Sequence, residues 1–295
     1  KFAIKPLDKN YNPTGGFSIM QNTEYHPNQS LQNKIKQLRN LLIELQPAYL
    51  AVSGGLDSRL LAFLADYWEL DYRAIFFQGP QITPKEKAFT QKFLEDLNID
   101  FSILEINPLQ EENVAANNPD RCYYCKTFLF NSAQNLIGIP GVNILEGSHL
   151  SDLSEYRPGN LALQKLQIIS PLARAGFYKP EIRECARYFK LTHWEQASRP
   201  CLLTRFAYGH PPQPRELELI AQAEDQLGDL GFRDFRIRVL ADKYYLQMAN
   251  SEKELYAEKE QETREVLSGL TPLEIFFTSQ VSGFFDQNTP TDTGA

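Results

Sequence analysis

Apolar residues follow two rhythms along this chain. Ile35, Leu38, Leu42 and Leu45 recur at intervals of three and four, which predicts an amphipathic helix with Ser30 as N-cap and Pro47 as its stop. Short apolar runs without that spacing come next, at residues 49–52, 73–77, 101–104 and 142–145, and each reads as a buried strand of a parallel sheet. Helical stretches separate them, from Arg59 to Tyr67, from Pro84 to about Leu97 and from Lys126 to Leu136. The second opens with a capping box, Thr83 and Glu86, and has Pro84 in its first position. Strands alternating with helices at this pace predict an α/β fold, a parallel sheet wrapped on both faces. Ligands of such sheets lie beyond the carboxyl ends of the strands, where the turn after Val52 and the loop at Gly147 both fall.

After residue 145 the pattern changes. Residues 146–159 are polar and read as one long loop, with Asp152 and Glu155 beside Arg157; loops of this length are more often functional than idle. A helix over 180–190 and a Pro- and Gly-rich linker over 206–214 follow. Then come a helix at 215–227, a hairpin from 235–240 and 244–248, a helix to about Leu267 opened by Ser251 and Glu254, and a strand at 274–278. The expected organisation is an extension over 1–30, the main domain over 31–205, a small α+β domain over 206–285 and a disordered tail over 286–295.

Composition narrows the class. Of the 295 residues 42% are hydrophobic, enough for a sizeable core, yet no apolar run approaches the ~20 residues of a membrane span. A net charge of −7 argues against a nucleic-acid-binding face, which needs clustered cations. Four cysteines are too few and too irregular for a secreted disulfide scaffold. No secretory leader is expected, and a reducing cytoplasm fits best.

The chemistry centres on Ser53-Gly54-Gly55-Leu56-Asp57-Ser58, between a predicted strand and a predicted helix. Adjacent glycines admit positive φ and close approach of a ligand, and the first N–H groups of a helix attract anions, phosphate above all. Ser53 and Ser58 add hydroxyls, and Asp57 adds a carboxylate able to hold Mg²⁺. The chain has no G-x-x-x-x-G-K-[ST] run, and no G-x-G-x-x-G follows this strand. The six residues resemble the pyrophosphate loop of the ATP pyrophosphatases. That resemblance implies cleavage of ATP between its α- and β-phosphates, with Ser53, Gly54, Gly55, Asp57, Ser58 and Gly147 around the nucleotide. The plainer alternative is a glycine turn capped by Asp57 and Ser58, with no ligand.

Cys122 and Cys125 form a C-x-x-C at a helix start, a spacing that brings two sulfurs to one metal centre, in a position where the helix N-terminus favours thiolates. Cys201 is in another loop-like setting, whereas Cys185 falls mid-helix and reads as a small packing residue. Three loop thiols suggest an incomplete cage with one open position, as in a three-cysteine [4Fe–4S] cluster; three unconnected thiols, or a redox dithiol, are the rivals.

Further segments carry a narrower resemblance. Residues 117–126 (NNPDRCYYCK), Gly147-Ser148, residues 152–159 (DLSEYRPG), Ser170-Pro171-Leu172, residues 199–205 (RPCLLTR) and Tyr208-Gly209 look like the matching segments of the LarE-type sulfur transferases, in family order over about residues 31–280. The resemblance implies an ATP-dependent enzyme that adenylylates a carboxylate of a pyridinium dicarboxylate mononucleotide and lets sulfur displace AMP. The product is the thiocarboxylate of a nickel-pincer cofactor. It implies Cys201, Cys122, Cys125 and Asp57 as catalytic residues, and ATP, Mg²⁺ and a [4Fe–4S] cluster on the three cysteines as cofactors. It also implies a sulfide donor and a homo-oligomer. Members with one cysteine, matching Cys201, sacrifice its sulfur; this chain has all three, which places it with the cluster-bearing group. Lys126, Arg157 and Arg205 are candidate cations for the substrate phosphate, Asp152 is a candidate substrate or Mg²⁺ ligand, and Tyr156 is a candidate stacking partner. Two positions depart from the family pattern: Arg59 and Leu203 stand where small residues are usual. The scattered histidines, His26, His149, His193 and His210, receive no role. Rival functions are a tRNA-thiolation enzyme, an ammonia-using synthetase with structural cysteines, and a module that senses adenylates without turnover.

Overall fold

The computed structural model describes residues 27–153, 158–241 and 243–287. The predicted extension over 1–30 therefore falls outside the described residues except for its last four positions, and so does the predicted tail from 288 onward. The first helix, α1 (Gln29–Leu45), is capped by Asn28, whose side chain accepts from the Leu31 N–H, rather than by Ser30, which lies inside the helix. The chain then runs through β1 (Ala48–Val52), α2 (Leu56–Tyr67), β2 (Tyr72–Gln78), α3 (Pro84–Glu95) and β3 (Asp100–Glu105). It continues through α4 (Glu112–Ala115), α5 (Arg121–Ile137) and β4 (Asn143–Leu145). The capping box of Thr83 and Glu86 forms as expected.

The four strands make a wholly parallel sheet in the order β3-β2-β1-β4. Alternation along each strand divides its side chains between two cores. Leu50, Val52, Ala74, Phe76 and Leu145 point to one face, against Leu38, Leu42, Leu60, Leu61 and Leu64 of α1 and α2. Ala51, Ile75 and Ile144 point to the other, against Phe130, Ala133 and Ile137 of α5. From β1 the chain steps to β2 on one side and reaches β4 on the other. The turn after β1 is thus the point where strand order reverses, the usual place for a ligand.

Residues 146–159 are not one open loop: they hold α6 (Leu150–Leu153) and the start of α7 (Pro158–Lys165), which begins at a proline set for a first helical position. Next come α8 (Pro171–Arg174) and α9 (Lys179–Tyr188). The second part holds α10 (Pro214–Asp229) and the antiparallel pair β5 (Phe235–Leu240) and β6 (Lys243–Ala249). It closes with α11 (Lys253–Glu258), α12 (Glu260–Val266) and β7 (Leu273–Thr278), the last pairing parallel with β6. The expected Ser251–Glu254 box does not form. Residues 250–252 make a 3₁₀ turn, and the helix predicted to run to Leu267 is broken between Glu258 and Glu260. The stretch over 206–214 is not a bare linker, because Phe206 is fully buried and bridges Val239 of β5. The core of this second part also takes in Val114, Leu202 and Leu203, with Cys125 and Cys201 packed on its edge. Among the described residues no helix is long and apolar enough to cross a membrane.

Gly54 shows why the turn after β1 needs glycine. Its φ is +80°, and an added Cβ would stand 2.1 Å from Thr90 Oγ1 of α3. Gly54→Ala should destabilise the protein by about 1–3 kcal/mol in urea denaturation. Gly141→Ala, at φ +75° with open space around it, should cost less, and Thr90→Ala should recover part of the Gly54→Ala loss.

Candidate active site

The turn Ser53–Gly55 leaves β1 and delivers the chain into α2 with Gly55 as N-cap and no side-chain cap. The N–H groups of Gly55, Leu56, Asp57 and Ser58 have no acceptor among the described residues. Side chains brace the turn from within. Ser58 Oγ accepts from the Ser53 N–H at 3.1 Å and donates to the Gly55 carbonyl at 3.1 Å. Gly147, after β4, lies close enough that a Cβ would stand 2.9 Å from Ser58 N. Its lack of a side chain lets the two strand-end loops touch. The result is a cleft of about 540 Å³ at the carboxyl ends of β1 and β4, lined by Ser53, Asp57, Ser58, Lys126, Glu146, Gly147 and Lys179 among others. That size suits a nucleotide-class ligand.

Three of its charged groups escaped the sequence reading. Lys179 Nζ donates to both oxygens of Asp57, at 2.6 and 2.7 Å. His149 Nε2 lies 3.4 Å from Asp152 Oδ2 and 3.9 Å from Asp57 Oδ1. Glu146 accepts from the Ser148 N–H and hydroxyl and from the Ser170 hydroxyl, and its Oε2 is 3.8 Å from Lys126 Nζ. Glu146 and His149 flank Gly147 at the end of β4, so their place beyond a strand end was a usable signal. Lys179 carries no such local mark, being 122 residues from Asp57 in sequence. Lys126 and Asp152, the candidate substrate contacts, line this cleft. Tyr156 and Arg157 lie outside the described residues.

Cys125 and Cys201 pack on the edge of the second core, and Cys122 is exposed. Cys122 and Cys125 are the second and fifth residues of α5, which begins at Arg121, five residues before its expected start. The Cys125 thiol is not lowered by the helix end. Burial pushes it well up, and the charges of Cys201 and Cys122 add to the rise, while Lys126 and Arg121 act against it. Cys185 is apart from the other cysteines, fully buried in the core formed with α1 and α2. Among the described residues no three His, Cys, Asp or Glu side chains are grouped to hold a metal ion. A cubane is larger than a single ion and takes its ligands from farther apart. One observation suits such a group. Arg121 is buried with Nε and Nη1 unpartnered, its guanidinium 4.9 Å over the Tyr208 ring, so an anionic cluster nearby would find donors waiting.

Cys201 opens a 3₁₀ turn, residues 202–205, that is held from several sides. The Leu202 N–H donates to the Gln81 carbonyl at 2.8 Å. Arg205 donates Nε and Nη2 to Glu224 at 2.8 and 2.7 Å and Nη1 to the Pro200 carbonyl at 2.9 Å. The expected substrate role of Arg205 is therefore corrected: its buried guanidinium is spent on α10 and on the turn itself. Asp225, next to Glu224, accepts from the Thr83 hydroxyl at 2.7 Å and the Lys85 N–H at 3.0 Å. One helix so holds both the Cys201 turn and the start of α3.

A Rossmann-like α/β domain of the PP-loop kind, with its glycine turn at the strand-order reversal and three thiols nearby, is the class these features define. No family model matches the chain. An uncharacterized protein of Synechocystis, slr1717, is 33% identical over 210 residues, covering 70% of this chain and 78% of that protein. The pyridinium-3,5-bisthiocarboxylic acid mononucleotide synthase of Lactiplantibacillus plantarum is 28% identical over 212 residues, covering 71% and 77%. An uncharacterized protein of Methanocaldococcus jannaschii, MJ0830, is 25% identical over 232 residues, covering 77% and 89%. The chain belongs to the family of these proteins, the LarE-like family.

The Arg205–Glu224 pair gives a pH signature. Burial alone would raise the Glu224 carboxyl, but the Arg205 charge and hydrogen bonds and the Ile237 N–H outweigh it and hold it below the ordinary value of 4.5. The folded state then binds fewer protons than the unfolded one, so the contribution is present above about pH 4.5 and is lost as pH falls through the depressed value. Glu224→Gln should cost ~3 kcal/mol or more at pH 7 in urea melts and should flatten the acid limb of the stability profile.

Proposed function

We propose that this chain is an ATP-dependent sulfur transferase acting on a carboxylate of a pyridinium dicarboxylate mononucleotide, giving the thiocarboxylate precursor of the nickel-pincer cofactor. The observation that carries the reading is α5. Its start bears Cys122 and Cys125 as second and fifth residues, and the next residue, Lys126, lines the cleft that contains the glycine turn. The name of the Lactiplantibacillus relative, a bisthiocarboxylic acid mononucleotide synthase, supports the substrate class.

A carboxylate resists attack by sulfur until it carries a leaving group. The unpaired N–H groups of Gly55 to Ser58 bind the departing β- and γ-phosphates and stabilise their charge. Asp57 would hold Mg²⁺, which neutralises phosphate charge when bound, while Lys179 keeps that carboxylate fixed. A carboxylate oxygen of the substrate attacks the α-phosphorus, the bond to the β-phosphate bridge breaks, and pyrophosphate leaves with the electron pair. In the second step a sulfur nucleophile adds to the activated carbonyl carbon, the C–O bond to AMP breaks, and AMP leaves. Cys122, Cys125 and Cys201 would hold the [4Fe–4S] cluster, which supplies the sulfur when bound. Lys126, paired with Glu146, meets the substrate phosphate. Turnover then needs an external sulfide donor. A cytoplasmic homo-oligomer belongs to the same reading.

Protein reconstituted without oxygen with iron and sulfide should be brown, carry about four irons per chain and release pyrophosphate with substrate. Replacing Cys122, Cys125 or Cys201 by Ala should bleach it and stop sulfur transfer, whereas Cys185→Ala should do neither. The double change Ser53→Ala with Asp57→Ala should abolish pyrophosphate release without unfolding. Iron-free protein that forms product once per chain and converts Cys201 to dehydroalanine would overturn the cluster source. Filter binding of tRNA would favour the thiolation rival.

A further inference from the structure

Arg59 has no part in the chemistry above, yet it heads the largest fully buried side chains of the described residues, at 0% exposure. Among the described residues no carboxylate pairs with it in hydrogen-bonding range. Burial pulls its guanidinium down to about 10, with the charge of Asp57 acting the other way. A buried cation of this kind is costly, and its bonds show what it holds in return. Nε donates to the Gly54 carbonyl at 3.0 Å. Nη1 donates to the Thr192 carbonyl at 2.8 Å, and Nη2 to the His193 carbonyl at 3.2 Å and to Gln196 Oε1 at 2.8 Å. The rings of Phe89 and Phe93 lie 4.9 and 5.6 Å from its charged carbon, so α3 closes it in.

The bond to Gly54 bears on the anion site. In a trans peptide the carbonyl and the following N–H point in opposite directions. With the Gly54 oxygen drawn inward by Arg59, the Gly55 N–H must face away from it. The space over Gly55 is open: an added Cβ would meet only Ser53 Oγ, at 3.5 Å. Glycine on both sides would let this peptide turn over at little cost. The flipped peptide would present an oxygen where an anion is to bind. We propose that Arg59 is a positioning residue for the nucleotide: it keeps the Gly54–Gly55 peptide with its donor outward. It ties that orientation to residues 192–196, which lead into the segment bearing Cys201. The inference rests on the nucleotide reading of the cleft and adds a residue to it.

The test separates the phosphate end of the ligand from its base. Binding of Mg²⁺-pyrophosphate, Mg²⁺-ATP and adenosine is measured by calorimetric titration for wild type, Arg59→Met and Arg59→Lys, with thermal melts of each. Arg59→Met should lose affinity for pyrophosphate and ATP by about tenfold or more and keep that for adenosine. Arg59→Lys should fall between Met and wild type, since it restores a donor but not the fork. Gln196→Leu, which removes one outer bond and leaves the turn untouched, should move pyrophosphate in the same direction by a smaller factor and keeps the test decisive if Arg59→Met does not fold. Unchanged pyrophosphate affinity in Arg59→Met, or in Gln196→Leu where Met fails to fold, overturns the proposal; so does an equal loss for adenosine. A wild-type protein that binds neither ATP nor pyrophosphate overturns the nucleotide reading itself, a different result.

Discussion

The buried ion pair between Arg205 and Glu224 is the constraint on which the arrangement of the site depends. Each partner alone would be a charge stranded in apolar surroundings; together they are satisfied, with the Pro200 carbonyl and the Ile237 N–H taking up remaining capacity. The pair fixes the Cys201 turn to α10. Asp225, the next residue, fixes the same helix to the start of α3, and Thr90 of α3 is packed against Gly54. The Cys201 turn and the glycine turn are thus held to one rigid rod from two sides. Successive residues of a helix point in different directions, so neither attachment can relax by rotation of α10 without straining the other.

The two halves of the proposed reaction have opposite needs, and the architecture separates them. The anion turn is assembled from backbone donors at the open end of the sheet, where water and nucleotide can enter. Cys125 and Cys201 are half-buried on the edge of the second core, which includes Leu202 and Leu203, while Cys122 is exposed. Lys126 is the residue that belongs to both surroundings, one position from Cys125 and in reach of Glu146.

Much of this was legible in the residues. Strands β1, β2 and β4 announced themselves because both their faces are largely buried, which leaves short apolar runs with no alternation; the edge strand β3 is half exposed, and the glycine turn was marked by composition alone. What failed were readings that depend on partners far off in sequence. Glu252 shows the point: its carboxylate accepts from the N–H groups of Arg233 and Asp234, so it caps a distant loop, and no box forms around Ser251. Arg205 looked like a phosphate ligand because its partner, on another element, could not be seen. Lys179 was missed for the same reason. The Cys125 thiol was expected low from its helix position, and burial, a tertiary property, reversed the sign.

The packing of Cys125 and Cys201 on the rim of the second core has a consequence for oxidative damage. A thiol is a small, nearly apolar group and suits that rim. A sulfinic or sulfonic acid is an anion, and at Cys125 it would be lodged at the edge of the apolar core that includes α10 and β5, where the residue is half-buried. On the proposed reading, air would then injure this protein twice, by removing a cluster ligand and by driving a wedge of charge into the rim of the second core.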